Sequence, residues 1–140
     1  MARRYRSYST KPLPLRPPRV IYTLMRKWQV RLGLQHWGVI NLYVRPFKDA
    51  TAAEIKWTRD YKGASISFSH KWLVSEHTSY DDYEATVVHE LCHLLFAAMD
   101  DRLERYLGLG EVFFEYGETR EGMCDMISNL LIQRYKRVKK

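Results

Sequence analysis

Residues 87–95 read VVHELCHLL, and the conformation of this run decides what the rest of the chain must be. His89 and His93 stand four apart, Glu90 follows the first, Cys92 precedes the second, and the remaining positions are apolar. On an α-helix, residues i and i+4 lie about 40° apart in direction and about 6 Å apart along the axis, so both imidazoles can reach one point. Two imidazole nitrogens at about 2.0–2.1 Å suit Zn²⁺. Glu90 flanks the same face, where a carboxylate can take a proton from metal-activated water and pass it to a leaving amine. As a plain core helix the run would bury two histidines, each needing a hydrogen-bond partner, and a shared metal removes that cost.

The helical reading has a start signal. In SEHTSYDD (75–82), Ser79 is an N-cap candidate with Asp82 three residues on. The helix is expected to run through Val87, Val88, Leu91, Leu94, Leu95 and Ala98 to about Tyr106, with Gly108 and Gly110 breaking it. Upstream, Ile21, Leu24, Trp28 and Leu32 recur at helical spacing until Gly33. Three short runs then alternate: VINLYVR (39–45), AEIKW (53–57) and GASISF (63–68), each with one apolar face. DYKG (60–63) between the last two suits a hairpin turn. A final helix is expected over about 119–136, carrying Met123, Met126, Ile127, Leu130 and Leu131. The expected class is α+β: an N-terminal helix, a small three- to four-stranded sheet, an active-site helix and a C-terminal ligand-bearing helix.

A catalytic zinc takes three protein ligands and keeps one position open. No histidine follows His93, so a third ligand on that side must be a carboxylate. EGMCDMIS (121–128) puts Glu121 and Asp125 at i and i+4, so that one can ligate while the other accepts the outer N–H of a ligand histidine. Glu115 and Glu118 are rival ligands.

HELCH, followed 28 residues beyond His93 by EGMCD, resembles the gluzincins, the thermolysin-like zinc peptidases. It is more similar still to minimal gluzincins and small HExxH proteins of phages and prophages, whose style ATVVHELCHLL and AEIKW share. The resemblance covers Val20 to about Leu131 in layout and is specific over the two helices. It implies a zincin-like fold in which His89, His93 and Glu121 hold one Zn²⁺, Glu90 is the general base and Asp125 supports a ligand histidine. Arg120 stands where the family usually has Asn, and the large domain with its transition-state histidine is not among these 140 residues. Zincins take peptide substrates as an extra antiparallel strand, and GASISF, with Ser65, Ile66 and Ser67, is the expected receiving strand. Tyr116, His77 and Tyr80 are candidate oxyanion partners. Cys92 and Cys124 read as small buried side chains, with thiolate ligation as the alternative.

The net charge of +7 is unevenly placed. Residues 1–19 hold six basic residues and 134–140 hold five, with no acid in either, so the body is −4 and the ends +11. The expected organisation is a basic Pro-rich arm (1–18), a metallopeptidase domain (19–133) and a basic tail (134–140). An acidic body argues against a broad nucleic-acid face on the domain; the ends could meet nucleic acid or an acidic partner, as in the SprT-like zincins that this layout resembles. No run approaches the roughly 18 apolar residues of a membrane span. With two cysteines and no secretory signal, a cytoplasmic location in a bacterial or phage-infected cell is expected, as is a peptide or protein substrate. The chain is thus expected to be a zinc metallopeptidase, the alternatives being a non-catalytic zinc-binding module or a nucleic-acid-tethered regulatory protein that uses its basic tails.

Overall fold

The computed structural model describes residues 16–58, 63–97 and 111–138, with side chains in the last stretch from 119 to 137. Pro18 is the N-cap of helix α1 (Arg19–Arg31), which buries Ile21, Leu24, Met25 and Trp28 along one stripe. Gly33, at φ +69°, closes it. The Leu34 and Gly33 amides donate to the Gln29 and Val30 carbonyls, satisfying groups the helix end would leave bare. A 3₁₀ turn (Gln35–Trp37) then leads to the sheet.

The strands are β1 (Asn41–Arg45), β2 (Ala53–Trp57) and β3 (Ala64–Ser69), in spatial order β1-β3-β2. β3 runs parallel to β1 and antiparallel to β2, aligning Leu42, Ile66 and Ile55 in one core-facing row and Val44, Phe68 and Ala53 in the next. Ile66 and Phe68 are completely buried, each contributing about 1.5–3 kcal/mol of apolar transfer free energy. This order corrects one expectation. Ser65, Ile66 and Ser67 lie on the central strand, paired on both sides, so they cannot receive a further strand. The seven residues between Arg45 and Ala53 carry the chain past the central position, which β3 then fills. The turn expected at DYKG lies mostly outside the described residues; beside it, the Thr58 amide donates to the Gly63 carbonyl at 2.9 Å.

Ser69 caps the short helix α2 (His70–Leu73). Ser79 and Asp82 form a reciprocal capping box at the start of α3 (Tyr80–Leu95). α3 ends at Leu95, with Phe96 as its C-cap at φ −108° and its ring beneath the Arg120 guanidinium at 3.9 Å. Ala97 is helical again, and the rest of the expected run to about Tyr106 lies outside the described residues. The last helix, α4 (Glu111–Val138), starts before the expected Thr119 and runs into the expected basic tail, where Tyr135 packs edge-on against Trp28 at 5.1 Å.

α3 is enclosed by α1, β2 and α4. Val87, Val88, Leu91 and Cys92 are fully buried there, as is Cys124 of α4. No helix of the described residues is long and apolar enough to cross a membrane.

Candidate metal centre

The capping box fixes the start of α3, and so sets which residues of its last turns face the gap toward α4. His89 and His93 share that side, their ring centroids 5.1 Å apart. Glu121 and Asp125 come from one turn of α4, which small buried side chains, Cys92 on α3 and Cys124 and Ser128 on α4, allow to approach closely. The Glu121 carboxylate spans both rings: Oε2 lies 2.8 Å from His89 Nε2 and Oε1 lies 3.0 Å from His93 Nε2. Asp125 Oδ1 lies 2.7 Å from His89 Nδ1. One ligand atom each from His89, His93 and Glu121 falls within 4.8 Å of the others, so these three could hold a metal ion.

His89 stands between two carboxylates, Asp125 Oδ1 at Nδ1 and Glu121 Oε2 at Nε2. As an imidazolium the ring donates to both; as a neutral ring with its N–H toward Asp125 it would offer the Nε2 lone pair to a metal ion.

Glu90 is 7% exposed beside this cluster. Burial pushes its carboxyl up to about 8, the Glu121, Glu54 and Asp125 carboxylates add to the rise, and the Ile55 amide, donating to Glu90, opposes it. That amide fixes the orientation of β2. The Ala52 carbonyl accepts from Ser69 and the Thr58 amide donates to Gly63, so even-numbered backbone groups face β3. By the alternation of an antiparallel ladder, Ala53, Ile55 and Trp57 turn theirs outward. Among the described residues no strand pairs with this side of β2, which lies alongside the cluster.

A cavity of about 560 Å³ follows this edge, with Phe47, Asp49, Glu54 and Trp57 on its walls and Glu90, His93 and Glu121 at its base. A second, of about 350 Å³, reaches His89, Glu121 and Asp125 from the other side.

The structure thus brings together all five residues singled out at the two helices. Cys92 is fully buried, its thiol pushed up to about 11 by burial, and with the fully buried Cys124 belongs to the core; neither is in the ligand cluster. Tyr80 lines a different cavity, and His77 is an exposed loop residue. The side chains of Tyr116, Glu115 and Glu118 lie outside the described part. Sequence reasoning missed the wall formed by β2, because strand order depends on pairings that no local pattern records; the long β1–β2 connection was the available hint. Comparison of the chain with protein-family models, curated proteins and solved structures finds no match.

Proposed function

We propose that this protein is a zinc-dependent metallopeptidase in which His89, His93 and Glu121 hold the ion and Glu90 moves the proton. The observation that carries the reading is the convergence of three ligand atoms beside a buried glutamate, at a strand edge unpaired among the described residues. Two imidazoles and one carboxylate, with a position left for water, form a donor set suited to catalytic zinc. The resemblance of residues 89–93 and 121–125 to gluzincins points the same way.

Zinc would supply Lewis acidity, polarising a peptide carbonyl and lowering the pKa of water from about 15.7 to about 7. Glu90 accepts the proton shed by the attacking water and delivers it to the nitrogen of the leaving amine, returning to its starting state. Its dry surroundings keep it basic enough for that shuttle. Asp125, 2.7 Å from His89 Nδ1, is placed to accept an N–H there, which would leave the Nε2 lone pair for the ion. An extended peptide adds to β2, pairing with the outward backbone groups of Ala53 and Trp57. Asp49 and Glu54 give the cleft a negative wall, which favours basic or neutral residues around the cut bond.

The test is direct. Purified protein is expected to contain one zinc and to degrade an unfolded protein such as casein. Glu90→Gln is expected to keep the zinc and lose turnover; undiminished turnover in that variant would overturn the reading. Zinc without turnover in the wild type would leave a non-catalytic zinc module.

A further inference from the structure

We propose that the exposed face of α1 is a docking surface for the phosphate backbone of a nucleic acid. The proposal is independent of the peptidase reading and revises the expectation that any such contact would be confined to the chain ends.

α1 contains no acidic residue. Arg19, Thr23, Arg26 and Val30 recur at three- and four-residue spacing and are all exposed, so they share the face opposite the buried stripe. Together with Arg16 and Tyr22, the first three of these line a concavity of about 520 Å³ that no carboxylate of the described residues lines. Arg19 and Arg26 are seven residues apart, about 10.5 Å along the axis, so they can contact separate phosphates.

The last arginine of α1 stands apart from this face. Arg31 lies 4.9 Å from the centre of the Trp28 ring and 4.2 Å from that of Tyr135, which ties the basic end of α4 to this helix. The local acids are already engaged: Glu84 accepts from Lys27 at 2.9 Å, and Asp81 from Lys136 at 3.2 Å. Both partners so engaged are lysines. Arg16, Arg19, Arg26 and Arg31 have no carboxylate within ion-pair distance among the described residues. What remains exposed is Arg16, Arg19 and Arg26, guanidinium groups whose planar forks match phosphate oxygens.

The occupant follows from these properties. Arg16 before α1, and Arg19 and Arg26 within it, form a row that complements a regularly spaced polyanion. Val30 is the sole large apolar side chain of α1 that is strongly exposed, too little for insertion into a lipid surface. The nucleic acid is not the substrate of the cleft, whose walls carry carboxylates.

The test uses the full chain and labelled probes: a duplex of about 30 base pairs, a single strand of equal length, and a poly-glutamate of equal charge, across about 50–300 mM salt. The wild type is expected to bind the nucleic acids more tightly than poly-glutamate. Combined Arg16→Ala, Arg19→Ala and Arg26→Ala is expected to weaken duplex binding at least about tenfold near 100 mM salt and to reduce the salt slope by about 3. Arg26→Glu alone should weaken binding in the same direction. Arg45→Ala, on the exposed side of β1, should leave binding unchanged. Circular dichroism melting confirms that each variant is folded. The proposal is overturned if the triple variant keeps wild-type affinity and slope, if neither nucleic acid binds at about 50 mM salt, or if poly-glutamate binds more tightly.

Discussion

Glu84 and Glu90 sit six residues apart on one helix, 6% and 7% exposed, yet their surroundings drive them in opposite directions. At Glu84, burial pushes the carboxyl up, but hydrogen bonds from Lys27 at 2.9 Å and Trp28 Nε1 at 2.8 Å prevail and hold it below the usual range. At Glu90, burial acts with neighbouring carboxylates, and one backbone amide does not offset them. Burying a charge costs little where cations meet it and much where they do not. The first end of α3 is therefore built to hold the fold together. At the second, burial favours the protonated, uncharged form of Glu90, so that the group holds a proton near neutral pH.

The contrast can be broken at either end. The largest effect is expected from Glu90→Gln, a hundred- to ten-thousandfold fall in casein turnover, on the order of general-base loss, with metal content and melting temperature retained. Glu84→Ala should do the reverse: it strands Lys27 and the Trp28 indole and is expected to cost about 2–3 kcal/mol by urea denaturation, with turnover per folded molecule unchanged. The sign of its pH dependence follows. A carboxyl lowered in the folded state adds stability that is complete above its unfolded pKa of about 4.3 and is lost as pH falls through the lower folded value. The stability gap between wild type and Glu84→Gln should thus be flat at neutral pH and close on acidification below about 4. Asp125→Asn releases the His89 ring and should weaken zinc binding about 10- to 100-fold in competition with a chromogenic chelator. The smallest change is expected from Asp49→Asn with Glu54→Gln, a several-fold loss of preference for lysine-containing over glutamate-containing peptides, read as the ratio of kcat/KM values.

The sequence carried what is local. The HELCH spacing, the Ser79–Asp82 cap and the three alternating runs each depend on neighbours within about one turn or one strand, and each can be read along the chain. Glu84 could not be read that way. Within YEATVV it looks like a solvated helix position, and its partners Lys27 and Trp28 lie 57 and 56 residues away. The placement of β3 between β1 and β2 was equally hidden, and with it the identity of the strand edge beside the cluster. The contact of Arg120 with Phe96 joins two helices and was likewise not legible along the chain. The exposed basic face of α1 was masked by averaging, since an acidic body on the whole can still segregate its charges once folded.

Helix α4 supplies Glu121, while α3 supplies both histidines. An ion shared among them would act as a cross-link between two helices whose ligands are 28 residues apart in sequence. Binding would then be conditional on α4 being docked, and docking would be strengthened by free metal: about 2.7 kcal/mol at a hundredfold excess over Kd. Cellular zinc supply would thereby set how much of the chain is folded as well as how much is loaded, and a starved cell would hold a less stable protein.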